Sequence, residues 1–194
     1  MEDLVTADAH TWQAWLRAHE DSSEGAWLVL AKKGTVVPTS LTYQIALEEA
    51  LCSGWIDGQR RSRDEATFLQ RFTPRRARSI WSLRNVNLVT ALEADGRMRP
   101  RGLTEVAKAR ADGRWDRAYA GAADVEVPDD LSAALEHEPA ARARFETLSS
   151  GDRYTVLHQV ITAPNPSVRA SRIARQIRQL AEDPHGTEQR GPNR

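Results

Sequence analysis

The chain has 194 residues and 21.7 kDa, with 27 Lys+Arg against 27 Asp+Glu, so its formal net charge is zero. That balance excludes attraction to polyanions or acidic membranes through bulk charge, and any anion site has to be local. Six Trp and 40% hydrophobic residues supply a core, and the single Cys52 excludes an internal disulfide.

Asp8 to Glu20 reads as a helix, with Asp8 or Thr6 as N-cap and Trp12, Trp15, Leu16 and His19 on one face. Gly25 then precedes the apolar run Ala26 to Ala31, which suits a buried strand closed by Lys32-Lys33-Gly34. Thr42 is the expected N-cap of a second helix, Leu41 can staple against Ala46, and Gly54 marks the stop. Trp55-Ile56-Asp57 and Thr67 to Phe72 predict two adjacent strands joined by a polar loop, hence an antiparallel hairpin. From Ser82 onward the pattern predicts helices over 82–94, 104–112, 130–136, 139–148, 151–162 and 167–183, with Asn165-Pro166 as the start signal of the last. The fold class expected is α+β: a small antiparallel sheet with flanking helices, followed by a mostly helical C-terminal region. The corresponding domains are 1–85, 86–182 and a disordered tail over 183–194, which is rich in Pro, Gly and charge.

No apolar run is long enough to cross a bilayer, and Met1-Glu2-Asp3 is acidic where a signal peptide would be basic, so a soluble cytoplasmic protein is expected. The zero net charge is unevenly built. Residues 1–24 carry six acids and one Arg, whereas residues 59–84 carry eight Arg and two acids. The basic residues are nearly all arginine, with only Lys32, Lys33 and Lys108 as lysines.

The densest cluster of chemically able side chains runs from Cys52 to Asn85. Asp57 sits between a strand and Gly58, so its carboxylate would project from the sheet edge. Pro74 biases Thr73 to an extended backbone, which makes Arg75-Arg76 the start of a loop. Ser79 or Ser82 then caps the next helix, with Asn85 in its first turn if Ser82 is the cap. Unpaired N–H groups at a helix start and nearby guanidinium forks together make an anion pocket, and Trp55 and Trp81 could wall it. The candidate ligand site is therefore Trp55, Asp57, Arg75, Arg76, Ser79, Trp81 and Asn85. The architectural alternative pairs Asp57 with Arg75 or Arg76 and buries both Trp in the core.

Other candidates read as structural. Cys52 lies on an apolar stretch with no His or Lys beside it, as a buried inert thiol would. The five His, at 10, 19, 137, 158 and 185, lack metal-ligand spacing, and no metal or cofactor is expected. Glu48-Glu49 and Asp129-Asp130 fit helix surfaces and starts. The arginines of the final helix, Arg169, Arg172, Arg175 and Arg178, fit a solvated face beside Ile173, Ile177 and Leu180.

At several of these residues the sequence resembles the YdeI/OmpD-associated, or bacteriocin-protection, family. The resemblance runs over roughly residues 5 to 182. It is carried by Gly25-Ala26-Trp27-Leu28 with Lys32-Lys33, by Leu41-Thr42-Tyr43, by Ala50 to Gly58 and by Phe72-Thr73-Pro74-Arg75-Arg76 through Ser79, with Trp81-Ser82 and Asn85. Further stretches are Gly96-Arg97-Met98, Gly102-Leu103, Asp112 to Trp115 and Val127-Pro128. It implies an N-terminal part similar to YjbR- and YdhG-like α+β domains and an association with stress and antimicrobial-peptide resistance, and it brings no catalytic mechanism. The family's last helix opens with Ala-Lys and then Glu-Thr-Arg, whereas only Arg169, Arg172 and Ile173 match here.

Three functions follow from these readings. The first is a non-enzymatic protein that binds a small anionic ligand. The second is an enzyme with Asp57 as general base beside an arginine-bound substrate. The third is a protein- or nucleic-acid-interaction module, with nucleic acid disfavoured by the neutral charge and the lack of a DNA-binding motif.

Overall fold

The computed structural model describes residues 3–182, and the tail expected over 183–194 lies outside the described residues. The elements in chain order are β1 (Asp3–Leu4), α1 (Ala9–His19), β2 (Ala26–Ala31), α2 (Tyr43–Cys52), β3 (Trp55–Ser62), β4 (Thr67–Pro74), α3 (Leu83–Ala94), α4 (Pro100–Ala111), α5 (Asp129–Glu136), α6 (Pro139–Thr147), α7 (Ser150–Ile161) and α8 (Pro166–Glu182). The α+β class with a helical C-terminal region is thus observed. Among the described residues no helix is long and apolar enough to cross a membrane.

Local chemistry starts and stops these elements. Asp8 caps α1 reciprocally with Thr11, its Oδ1 accepting Thr11 N–H at 2.9 Å while Thr11 Oγ1 accepts Asp8 N–H at 3.2 Å. Gly54 ends α2 at φ +71°, where a Cβ would be strained, and its N–H donates to Leu51 O at 3.0 Å. Pro100 opens α4 four residues before the expected start, because its missing N–H costs nothing at the first helical position.

The sheet has the order β1-β2-β4-β3. β2 is buried along its whole length, as the continuous apolar run requires of a central strand, and pairs antiparallel with β4 from Ala26↔Phe72 to Ala31↔Thr67. β3 and β4 form the expected hairpin, longer than the sequence suggested. Its register shifts between Asp57 and Arg60, and the Gln70 amide donates to the carbonyls of Gly58 (2.9 Å) and Gln59 (3.3 Å) at that bulge. The two-residue β1 adds a parallel pairing, Asp3↔Trp27 and Leu4↔Leu28. One face of the sheet packs on α1 and α2 around Trp12, Leu16, Leu28, Leu47, Trp55 and Phe72, with the Trp12 indole N–H donating to Ala46 O at 3.1 Å.

The chain divides into two compact units, the first ending at Ala118 and the second beginning at Tyr119. The division falls well after the expected break at residue 85, because α3 and α4 contribute Val89, Leu92, Val106 and Ala109 to the core beneath the sheet. α4 meets the end of α2 at very close range: Arg99 N–H donates to Cys52 O at 3.1 Å, and Gly102 has no room for a side chain against the Cys52 carbonyl. The second unit has its own core of Leu131, Leu135, Phe145, Leu157, Val160 and Ile173, drawn from α5 to α8. Within it Arg169 holds Asp130 through two hydrogen bonds of 2.6 and 2.8 Å, tying α8 to the start of α5.

Candidate functional site

The predicted site residues fall on the start of β3 (Trp55, Asp57), the loop that follows β4 (Arg75, Arg76, Ser79, Trp81) and the first turn of α3 (Asn85). Trp55 and Pro74 are register partners, and Arg75 N–H donates to Gly54 O at 3.0 Å, so Arg75 leaves the sheet beside Trp55. Its side chain is buried. Nη1 donates to Ile80 O at 3.2 Å, and the guanidinium lies 3.4 Å from the ring centre of Trp81. Trp81 is 2% exposed and packs against Trp115 at 4.8 Å, with Arg110 over the Trp115 ring at 4.7 Å. The two indoles thus pack on each other with one guanidinium over each, and attraction of the cations to the ring quadrupoles holds this loop in place.

Two indole N–H groups, Trp55 Nε1 and Trp81 Nε1, are buried with no hydrogen-bond acceptor among the described residues. The Trp55 ring stands edge-on to Trp12 (6.5 Å) and Trp15 (5.8 Å), inside the core. Arg76 is exposed. Its backbone N–H donates to Ser79 Oγ at 2.9 Å, and Ser79 N–H returns to Arg76 O at 2.9 Å, so the Ser79 hydroxyl closes a turn. Ser82 is the N-cap of α3, its Oγ accepting Asn85 N–H at 3.2 Å, and Asn85 is buried in the first helical turn.

Asp57 belongs to a chain of polar groups that sequence reasoning missed. The Tyr43 hydroxyl donates to Asp57 Oδ2 at 2.7 Å and accepts from Arg84 Nη1 at 3.3 Å, while Arg84 Nη2 donates to Gln44 Oε1 at 2.8 Å. Burial pushes the Tyr43 phenol up to about 12, with the Asp57 hydrogen bond adding to it. Tyr43 lies in a stretch quoted for the family resemblance, but nothing in the spacing signals that residues 43, 57 and 84 meet.

A second polar cluster sits at the end of α2. Glu49, expected on a helix surface, is buried, and its carboxylate accepts from Arg99 Nη1 (2.9 Å), Arg97 Nη2 (2.9 Å) and Gln13 Nε2 (3.1 Å). Arg99 also donates to Ser53 Oγ at 2.8 Å and to the Glu49 carbonyl. Burial raises the Glu49 carboxyl, but the donors of Arg99, Arg97 and Gln13 outweigh it and hold the group below its ordinary range. Burial lifts the neighbouring Cys52 thiol to about 11, the signature of an unreactive cysteine. The cluster is saturated by its own members and is read as architecture. Among the described residues no group of His, Cys, Asp or Glu could hold a metal ion.

The second unit carries an open groove of about 660 Å³ between α5 and α8, floored by Ala134, Ala170, Ile173, Ala174 and Ile177. Arg178 and Glu138 stand at its rim.

Comparison with known protein families divides the chain in a similar way. Residues 124–183 match the family described as Bacteriocin-protection, YdeI or OmpD-Associated. The bacteriocin-protection likeness therefore rests on the C-terminal unit, whereas the reading from sequence had extended it to residue 5. Residues 4–105 match another family model, described as Domain of unknown function (DUF8412). No curated protein and no solved structure matches the chain. Since the match over residues 4–105 covers more than half of its length, the chain belongs to the DUF8412 family.

Proposed function

We propose that the protein is a cytoplasmic, bacteriocin-protection-associated binding protein that holds a small anionic ligand where β3, β4 and the start of α3 come together. The association is supported by the family match over residues 124–183. The ligand reading rests on one observation: the Trp81 indole N–H is buried without an acceptor among the described residues, on the residue that precedes the N-cap of α3 and beneath the Arg75 guanidinium. A buried donor left unpaired costs about 1–3 kcal/mol, and an anion oxygen would recover it. In this reading Trp81, Arg75 and Trp55 form the wall, exposed Arg76 supplies charge, and Asn85 and Ser79 shape the helix start. Asp57 has a positioning role in this reading, its Oδ2 accepting from the Tyr43 hydroxyl at 2.7 Å. The proposed likeness of the sheet-bearing unit to YjbR- and YdhG-like domains rests on the motifs quoted above.

The test is a titration of phosphate-bearing metabolites followed by Trp fluorescence in the wild type, Arg76→Gln and Trp81→Phe. The expected result is a saturable response in the wild type that both substitutions weaken. A protein that never responds, or responds identically in all three forms, rules the reading out.

A further inference from the structure

The outer face of the sheet, opposite α1 and α2, carries an arrangement that the proposed ligand site does not use. Trp27 on β2 and Arg71 on β4 are register partners, and Arg61 on β3 stands opposite Leu69, which places all three side chains on that face. The Arg61 guanidinium lies 4.1 Å from the Trp27 ring centre and that of Arg71 lies 5.9 Å from the same point. The two cations therefore lie no farther apart than those distances end to end, about 10 Å. Gly25, at φ +140°, lies alongside this strand end, where a Cβ would come within 2.8 Å of Phe72 O and of Thr73 Cγ2, and Arg71 Nη2 lies in ordinary contact with the same position at 3.6 Å.

Neither arginine has a carboxylate partner among the described residues. The acid on the adjacent position of β1, Asp3, pairs with Arg63 at 3.5 Å. Two like charges within about 10 Å of each other over one aromatic ring repel, and an anion bound to both removes that repulsion. A carboxylate has two oxygens and satisfies one fork. Two forks with two charges match the larger set of oxygens on a phosphate group.

We propose that Arg61 and Arg71, stacked on Trp27, form a phosphate-binding site on the outer face of the sheet, distinct from the Arg75–Trp81 site. The same chemistry is offered by a free phosphate or phosphate monoester and by the phosphodiesters of a nucleic-acid strand. In the second case Arg60, stacked on Phe68 at 4.0 Å on the other face of the same edge strand, extends the contact.

The experiment titrates inorganic phosphate, and separately a short single-stranded DNA, into the wild type, Arg61→Gln, Arg71→Gln, Arg61→Lys and Arg76→Gln by calorimetry at several salt concentrations. Each Gln substitution should weaken binding about ten-fold or more. Arg61→Lys should fall between, since it keeps the charge and loses the fork. Arg76→Gln acts at the other site, so the part of the binding that Arg61→Gln and Arg71→Gln remove should survive in it. Binding of inorganic phosphate with that pattern identifies the free group as the source. Binding of the strand alone, with a salt slope that drops by about one for each arginine removed, identifies the phosphodiester. Binding of neither, or binding that Arg61→Gln and Arg71→Gln leave intact, overturns the proposal.

Discussion

Replacing Glu49 by Gln tests the buried polar cluster at the end of α2. The side chain keeps its volume and one acceptor oxygen, but Arg99 loses its counter-charge and faces an amide that brings donors of its own. The two pairs made by Glu49 differ in weight. The Arg97 side chain is 39% exposed, so water and salt screen it and its share is at most about 1 kcal/mol. Arg99 and Glu49 are each only 9% exposed in their side chains, and breaking a buried pair by removing one partner costs about 3–5 kcal/mol. Against a domain stability of about 5–15 kcal/mol, that loss should move the urea midpoint far down at pH 7. Replacing both partners, Glu49→Met with Arg99→Met, removes the stranded charge, so the double variant should be more stable than the sum of the single losses by about 1–3 kcal/mol. The pH dependence has a definite sign. The folded carboxyl sits below its ordinary value of 4.5, so its contribution is complete above that value and disappears as pH falls through the lower folded one. The wild type should lose this increment on acidification, and Glu49→Gln should lack that part of the slope. A Glu49→Gln protein within about 1 kcal/mol of the wild type at pH 7, or single effects that simply add, would refute the reasoning.

Gly102→Ala should destabilise the first unit even though alanine favours helices by up to about 1 kcal/mol. The new Cβ would overlap Cys52 O and lie 2.9 Å from its carbonyl carbon, so α4 must move off the end of α2, at about 1–3 kcal/mol, and denaturant titration should show a net loss. An unchanged or higher midpoint would mean that the two helices separate freely. Tyr43→Phe should remove a late step of the tyrosinate absorbance titration, because burial and the Asp57 hydrogen bond push the Tyr43 phenol up to about 12 from an ordinary 10.0. A folded-state value raised in this way gives stability that is present below the unfolded value and is lost as pH rises toward the folded one, so the wild type should weaken above pH 10 more steeply than the variant. Absorbance lost instead at the ordinary step near 10.0 would dismiss the Tyr43–Asp57 bond.

Much of the first unit was legible because it is decided within a few residues. The cap at Asp8, the stop at Gly54, the apolar run of β2 and the β3–β4 hairpin depend on backbone preferences and on a pattern of period 2 or 3.6, both local properties of the chain. The candidate residues Trp55, Arg75 and Trp81 were legible as a cluster for the same reason, lying in two short stretches joined by one hairpin. Tertiary structure alone settled the partners. Glu49 reads as an ordinary surface acid until Arg99, fifty positions later, folds back onto it, and Asp57 reads as a free carboxylate until Tyr43 and Arg84 arrive from two other helices. Arg61 and Arg71 gain their common ring only through the alignment of β3 and β4 with β2. Composition counts charges, and local pattern places them on an element. Whether a charge is neutralised, buried or left available depends on which distant side chain packing brings within about 4 Å of it, and that is fixed only when the helices close over the sheet.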